Sequence, residues 1–257
     1  MCISRLYLFV GILVLCLSGC GQDRSNRAVP QDAETPDTAA APSNGGPATS
    51  SASPSTNGSA RETALQVLVL GNSIAAGYGL PNDAPAFPAL LQQKADSLGW
   101  AVRIRNAGES GMTTAGGRSR IGWLLRQPVD VLLLELGGND GLRGVDPAAT
   151  RKNLSAIIDS TLARYPDARV LLAGMQIPPN LGPDYTRRFR EVYPSVADRY
   201  DQVTLIPFVL EGVGGVERLM QSDGIHPNAT GQRRVAETIW NDLRPLLERM
   251  RREKAEA

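Results

Sequence analysis

From about residue 61 onward, short apolar runs alternate with segments of helical periodicity. The apolar runs predict five strands, at 65–70, 101–104, 129–136, 170–175 and 203–206. Strands that alternate with helices form parallel βαβ units, in which helices cover both faces of the sheet. The sequence therefore predicts one α/β domain, built as a three-layer α/β/α sandwich around a central parallel sheet.

The helices of this domain are predicted from apolar spacing and from end signals. Asp146 followed by Pro147 is typical of a helix start, with Asp as the N-cap and Pro at the first helical position. The predicted helices lie at 87–98, around 121–125, from 147 through 162, at 186–199 and from 228 onward.

Residues 1–20 predict an export signal rather than part of the fold. A basic start that ends at Arg5 precedes an apolar run at 6–17, which is shorter than the roughly 20 residues that span a bilayer. The run closes with LSGC at 17–20, which resembles the lipobox of bacterial lipoproteins. This resemblance implies cleavage before Cys20 and acylation of Cys20, and Gly21 after it favours the outer membrane. An ordinary secretory signal with an incidental cysteine is the alternative.

The composition changes after the signal. Pro, Ser, Ala, Thr, Gly and Asn dominate residues 30–60, and no aromatic residue occurs between Phe9 and Tyr78. Such a segment buries too little apolar surface to offset its ordering entropy. We therefore expect a disordered linker at 21–61, a folded domain at 62–250 and a charged tail at 251–257. The tail is expected to be a solvated helix end, with a membrane-surface contact as the alternative.

Charge and rare residues exclude several classes of function. The chain has 27 Lys and Arg against 26 Asp and Glu, a net charge of +1, which argues against a nucleic-acid binder. All three cysteines lie within the first twenty positions, so the domain has no disulfide, thiol nucleophile or cysteine zinc site. The chain has a single histidine, His226, through which any imidazole chemistry must run.

Polar, glycine-containing turns follow the predicted strands or precede the last helix, at 71–74, 106–109, 137–140 and 223–227. Ligands of open parallel sheets bind at the carboxyl ends of the strands, so these turns predict a site.

Three of the residues in these turns suit nucleophilic catalysis. Asp223 and His226, three residues apart, can hydrogen-bond, which fixes the imidazole tautomer and leaves its other nitrogen to accept a proton. Ser73 supplies a hydroxyl at a strand-to-helix turn. The N–H groups of Ser73 and Gly108 and the side-chain amide of Asn139 are candidate donors to an oxyanion. Together these residue types predict acyl transfer through a serine ester.

Each of these residues also has a plainer interpretation. Ser73 alone could cap a helix, and His226 could be a hydrogen-bonded turn histidine. Gly108 could be needed only because the backbone there adopts a positive φ, and Asn139 could cap the turn at 137–138.

The four turns together resemble those of the SGNH/GDSL hydrolase family, over residues 65–247. The strings GNSIAAGYGL, LELGGNDGLRG and DGIHPN are most similar to the bacterial thioesterase I/arylesterase/lysophospholipase L1 branch. The resemblance implies a flavodoxin-like SGNH hydrolase fold and no metal or organic cofactor. It also implies roles for five residues, with Ser73 as nucleophile, His226 as general base and acid, Asp223 as its orienting partner, and Ser73, Gly108 and Asn139 as the oxyanion hole.

The sequence departs from this family at two positions, with Asn72 where the family has Asp and Ile74 where it has Leu. Asn keeps much of the hydrogen-bonding capacity of Asp without its charge, so we expect a tuned rather than an inactive site. By analogy, the segment 141–146 is a mobile loop beside an acyl pocket, or else a plain connector. The segment 178–185 lines the acyl groove or is an ordinary loop.

The sequence thus predicts a lipid-anchored serine esterase of the cell envelope, acting on small acyl esters or lysophospholipids and monomeric. Export makes acyl-CoA an unsuitable natural substrate. The alternatives are a carbohydrate O-acetyl esterase of the envelope and an inactive binding lipoprotein.

Overall fold

The computed structural model describes residues 64–256. The predicted signal peptide, the predicted lipid attachment at Cys20 and the predicted linker at 21–61 lie outside the described residues.

A parallel sheet of five strands forms the centre of the domain. The strands are β1 (Leu65–Gly71), β2 (Val102–Asn106), β3 (Val131–Glu135), β4 (Arg169–Ala173) and β5 (Val203–Ile206). Their order in the sheet is β2-β1-β3-β4-β5, and all four pairings are parallel. The prediction of an α/β fold around a central parallel sheet is confirmed.

Helices connect the strands. They are α1 (Ser73–Ala76), α2 (Phe87–Ser97), α3 (Thr114–Leu124), α4 (Gly138–Leu142), α5 (Pro147–Arg164), α6 (Pro183–Arg190), α7 (Val192–Ala197) and α8 (Ala229–Glu256). Single 3₁₀ turns lie at Pro179–Leu181 and Glu217–Leu219. Helix α2 packs against α8, whereas α3 packs against α5 and α5 against α7.

The sheet topology places a crevice between β1 and β3. The chain runs to one side of β1 to form β2 and to the other side to form β3, so the strand order reverses there. In register, Gly71 at the end of β1 lies opposite Glu135 at the end of β3. The turns that follow these two strands therefore flank the point at which open α/β sheets bind ligands.

The structure defines three of the predicted elements more closely. Residues 121–125, predicted to lie in a helix, form the end of α3 and its C-cap, and the helix begins at Thr114, where the Thr113 side chain caps it. The predicted helix at 186–199 is two helices, α6 and α7, which meet at Glu191. Residues 251–256, expected as a charged tail that forms a solvated helix end, continue helix α8, and 252–256 are exposed.

Two side chains of this exposed helix end contact the rest of the domain. The Arg251 guanidinium lies 4.9 Å from the Trp100 ring centroid, and Lys254 forms a 3.0 Å ion pair with Asp130. Within residues 64–256, no helix has the length and apolar character needed to cross a membrane.

Candidate active site

Ser73 lies at the first position of α1, directly after β1. The Asn72 side chain caps this one-turn helix, because its Oδ1 accepts the N–H of Ile74 at 2.9 Å. Sequence reasoning assigned capping to Ser73 as its plainer role, whereas the structure gives that role to Asn72. The Ser73 hydroxyl is thereby left for other partners.

The structure brings Ser73, His226 and Asp223 together. His226 Nε2 lies 2.9 Å from Ser73 Oγ, and His226 Nδ1 lies 2.6 Å from Asp223 Oδ2. The ring centroid of Tyr78 lies 4.7 Å from that of His226. A serine–histidine–carboxylate chain of hydrogen bonds therefore spans two loops that are distant in sequence.

The environment of Asp223 keeps its carboxyl ionised. Its Oδ1 accepts the backbone N–H groups of His226 at 3.0 Å and Ile225 at 2.9 Å. The backbone and side-chain hydrogen bonds from His226 are the main reasons why the pKa of Asp223 falls to about 2. A carboxylate held in this way favours the tautomer of His226 with a proton on Nδ1, so that Nε2 can accept the proton of Ser73.

Asn139 lies on α4, after β3, and lines the same cavity as Ser73 and His226. Its Nδ2 donates to the carbonyl oxygen of Met112 at 3.0 Å, which fixes the plane of the amide. One Nδ2 hydrogen remains for a ligand in the cavity.

Gly108 does not occupy the place that the sequence analysis expected. Its N–H donates to Asn106 Oδ1 at 2.9 Å. A Cβ on Gly108 would lie 2.7 Å from Ala76 N and 2.8 Å from the Ala75 side chain. The structure therefore corrects the expectation: Gly108 lets its turn approach α1, and its N–H is directed at Asn106.

A second glycine of this turn was missed. Gly111 has a φ of +80° and precedes Met112, whose carbonyl holds Asn139. Within residues 64–256, the N–H groups of Gly111 and Ser73 have no hydrogen-bond acceptor. No feature of the sequence distinguishes the two glycines of NAGESG, because the choice depends on which N–H the Asn106 side chain occupies.

Glu135 is the other residue that sequence reasoning missed. Its carboxyl group is 0% exposed and accepts Asn72 N–H at 3.1 Å and Asn72 Nδ2–H at 2.8 Å. Burial raises its pKa to about 8, and the hydrogen bonds from Asn72 and from the Ala75 backbone partly oppose this rise. In the sequence, Glu135 is one of two acidic residues in the apolar run 129–136, and nothing distinguishes it from Asp130.

A cavity of about 500 Å³ opens beside Ser73. Apart from the polar residues already described, its wall is mostly apolar, and it includes Ile74, Leu142, Met175, Ile177, Pro178, Phe208, Leu210, Met220 and Ile225. Leu142 belongs to the segment 141–146 and Pro178 to the segment 178–185, so each of these segments contributes to the wall. Residues 64–256 contain no group of three or more His, Cys, Asp and Glu side chains placed to hold a metal ion.

Comparison with known proteins assigns this arrangement to a family. The model of the GDSL-like lipase/acylhydrolase family matches residues 69–234, which contain all the residues of the site. The chain belongs to this family. Membership confirms the resemblance seen in the sequence and the expectation of an ester-hydrolysing enzyme.

The relatives of this GDSL-like hydrolase include well-covered bacterial enzymes. Esterase TesA of Pseudomonas aeruginosa is 46% identical over 185 residues, which are 72% of this chain and 90% of the relative. Thioesterase 1/protease 1/lysophospholipase L1 of Escherichia coli K12 is 40% identical over 182 residues, 70% of this chain and 84% of the relative. A crystal structure of TesA matches with a TM-score of 0.66 at 44% identity, covering 70% of this chain and 99% of the other.

Proposed function

We propose that this protein is a lipid-anchored serine esterase of the cell envelope that hydrolyses acyl esters or thioesters through an acyl-Ser73 intermediate. The observation that carries the proposal is the hydrogen-bonded chain from Asp223 through His226 to Ser73, which ends at the mouth of an apolar cavity. An isolated serine or histidine in a turn has no need of this geometry.

The first half-reaction forms the acyl-enzyme. Ser73 Oγ attacks the carbonyl carbon of the substrate while its proton passes to His226 Nε2, and the carbonyl electron pair moves onto oxygen. When the tetrahedral intermediate collapses, the bond to the leaving oxygen or sulfur breaks, and that atom takes the proton from Nε2. Asp223 stabilises the imidazolium that exists between these two proton transfers.

The second half-reaction repeats these steps with water. His226 Nε2 accepts a proton from water as the water oxygen attacks the acyl carbon. Collapse then breaks the ester bond to Ser73 Oγ, which regains its proton from Nε2. The fatty acid leaves and the enzyme returns to its starting state.

Three donors are proposed for the oxyanion: the Ser73 N–H, the second Nδ2 hydrogen of Asn139 and the Gly111 N–H. Gly111 replaces Gly108 in this role because the Gly108 N–H already donates to Asn106, whereas Gly111 adjoins the carbonyl that holds Asn139. Each donor of this kind contributes roughly 2.7–4 kcal/mol of transition-state stabilisation.

The cavity favours an acyl chain over an acetylated sugar. Its mostly apolar walls suit an alkyl chain better than a hydroxyl-rich sugar ring, which counts against the carbohydrate O-acetyl esterase. Relatives named esterase, thioesterase and lysophospholipase support acyl esters and lysophospholipids as substrates. The proposed export excludes acyl-CoA as the natural substrate.

The test compares the full chain, in detergent, with its Ser73→Ala variant on p-nitrophenyl esters from acetate to palmitate. The matched control is Ser119→Ala, because Ser119 is exposed on α3 and its hydroxyl donates only to the Gly116 carbonyl. We expect hydrolysis to be lost in Ser73→Ala and unchanged in Ser119→Ala, with the highest rates on acyl chains longer than acetyl.

Two outcomes contradict the proposal. A rate that is highest on acetate and falls steadily with chain length favours the O-acetyl esterase. Equal and negligible rates for the folded wild type and Ser73→Ala, with no labelling of the wild type by a fluorophosphonate, favour a binding lipoprotein.

A further inference from the structure

We propose that a bridge between Asn72 and Glu135 positions the nucleophile, and that the amide at position 72 keeps this bridge intact whether Glu135 is protonated or ionised. Both are positioning residues, because they act on the substrate only through Ser73. The inference rests on the proposed function for its kinetic readout, and on the fold alone for its thermal readout.

The bridge joins the ends of the two central strands. Glu135 ends β3 opposite Gly71, and a Cβ on Gly71 would lie 2.8 Å from Glu135 Oε2. The absence of that Cβ lets the carboxyl group reach the backbone of the turn that carries Ser73. Two contacts then hold the turn, from Asn72 N–H to Oε2 and from Asn72 Nδ2–H to Oε1.

The orientation of the Asn72 amide is fixed from both sides. Its Oδ1 accepts the Ile74 N–H, so its Nδ2 must face Glu135. Ser73 lies in the chain between Asn72 and Ile74, the residue whose N–H Asn72 caps, and Ser73 Oγ is 3.5 Å from Asn72 Oδ1. A displacement of the bridge therefore displaces the hydroxyl that faces His226.

An amide at position 72 suits both charge states of Glu135. Asn72 N–H and Nδ2–H can donate to a neutral carboxyl or to a carboxylate, because both forms retain lone pairs on each oxygen. Burial raises the pKa of Glu135 to about 8, so both forms occur at neutral to mildly alkaline pH.

Other titratable groups face the bridge from neighbouring elements. Tyr193 on α7 is buried, and its pKa is raised by burial and by the charges of Asp140 and Glu135. His226 lies on the far side of Ser73. None of these groups replaces the donors that Asn72 supplies to Glu135.

Two substitutions break the match between donors and acceptors in different ways. With Asn72→Asp, two carboxyl groups face each other and must share a proton, which is lost as the pH rises. With Glu135→Gln, the amide group of Gln opposes one of the two Asn72 donors at every pH. The double variant restores the match with reversed polarity, since Gln donates to Asp while its carbonyl accepts the backbone N–H of residue 72.

The experiment uses the full chain as wild type, Asn72→Asp, Glu135→Gln and the double variant. For each, kcat and KM for a p-nitrophenyl ester and the melting temperature are measured from about pH 6 to about pH 10. For Asn72→Asp we expect kcat, relative to wild type, to fall about tenfold over this range, with KM unchanged. Glu135→Gln is expected to lose about tenfold in kcat at every pH, and the double variant to recover most of that loss.

A merely structural role gives a different result. The inference is overturned if Asn72→Asp follows the wild-type pH profiles of kcat and melting temperature, or if the double variant is no more active and no more stable than Glu135→Gln. A wild type that neither hydrolyses esters nor reacts with a fluorophosphonate overturns the proposed function instead. In that case the melting temperatures still decide whether the bridge depends on this match.

Discussion

At the scale of single residues, the two oxygens of the Asp223 carboxylate have different functions: one fixes the carboxylate in its turn, and the other orients His226. Oδ1 accepts two backbone N–H groups of its own turn, while Oδ2 accepts the imidazole N–H of His226. The backbone contacts fix the carboxylate before the histidine binds it, so little ordering remains to be done during the reaction. With a pKa of about 2, the group stays ionised throughout the neutral range.

The Asp223→Asn variant tests the second of these functions. In this variant an NH₂ group can take the place of Oδ2. It then either faces the N–H on His226 Nδ1, which displaces the ring, or donates to an unprotonated Nδ1, which leaves the proton on Nε2. In both cases Ser73 no longer faces an oriented Nε2 that can accept its proton. We expect kcat to fall about 10³- to 10⁴-fold with KM little changed, as measured by ester hydrolysis. The control Asp198→Asn, at an exposed position on the end of α7, should retain wild-type rates. A loss below tenfold in Asp223→Asn would show that the carboxylate is not needed to orient His226.

The residues that sequence reasoning identified correctly as neighbours are those whose chemistry is rare in this chain. A single histidine and a carboxylate three residues before it allow few arrangements, and the structure joins both to Ser73. Gly111 and Glu135 were missed for a physical reason. The role of Gly111 depends on which backbone N–H is already bound to Asn106. The role of Glu135 depends on its burial beside Asn72. Neither property can be read from residue type.

At the scale of elements, the site depends on how closely the turn after β2 approaches α1. Gly108 makes this approach possible, because a Cβ there would meet Ala76 N at 2.7 Å and Ala75 atoms at 2.8–2.9 Å. Most of these atoms belong to the backbone of the helix that carries Ser73, and they cannot move aside as a flexible side chain would. Any side chain at position 108 therefore pushes against the helix that carries Ser73.

We expect Gly108→Ala to lower the free energy of unfolding by about 1–3 kcal/mol and to reduce kcat. The control is Gly122→Ala on α3, where a Cβ meets nothing within 4 Å. This change should stabilise the protein by about 0.5–1 kcal/mol with kcat unchanged, because alanine favours a helix over glycine. Urea denaturation and ester hydrolysis measure both effects. Equal stability of the two variants would exclude the close approach at Gly108.

Among the elements, the strands could be predicted from the sequence, whereas one helix start and the contacts of one helix end could not. All five strands were predicted because each is a short apolar run between polar turns, and β3 is buried along its whole length. The start of α3 was missed because Gly116 and Gly117 interrupt its apolar spacing. Likewise, the last turn of α8 is too polar to be predicted as packed, yet Arg251 lies over Trp100.

At the scale of the whole molecule, the buried Glu135 makes the stability of the fold depend on pH. In the unfolded chain this carboxyl ionises near pH 4.5, whereas in the fold its pKa is about 8. Between these values the folded state binds the proton and the unfolded state does not, so the free energy of unfolding falls as the pH rises. The contribution is fully present below about 4.5 and is lost as the pH passes through about 8.

We therefore expect the melting temperature to decline steadily from about pH 5 to about pH 9, as followed by calorimetry. Glu135→Gln has no proton to lose at this position, so its melting temperature should be lower in acid but should vary less over the same range. Asp223 has the opposite effect on stability, because its pKa falls from 3.8 to about 2 on folding. The free energy of unfolding that it contributes is lost as the pH falls between these two values, which lie below the pH range of this measurement. Parallel curves for wild type and Glu135→Gln would show that Glu135 does not set the alkaline limit.

The largest scale concerns where the enzyme acts. If Cys20 carries acyl chains, each buried CH₂ contributes roughly 0.8 kcal/mol to membrane binding, and two or more chains hold the protein stably on the bilayer. Because every residue of the site lies within the domain at 64–256, the loss of the anchor should relocate the enzyme without changing its chemistry.

The Cys20→Ser variant separates these two properties. We expect wild-type protein to incorporate labelled palmitate and to sediment with bacterial membranes, whereas Cys20→Ser should lose the label and enter the soluble fraction. Its kcat on a soluble ester should equal that of wild type. Cys16→Ser is the matched control, because Cys16 lies inside the apolar run of the signal, and it should remain labelled and membrane-bound. A Cys20→Ser protein that is still labelled and sedimented would reject the lipobox, because only a cysteine at the cleavage site can carry the lipid. A soluble, unlabelled wild type would instead support an ordinary secretory signal.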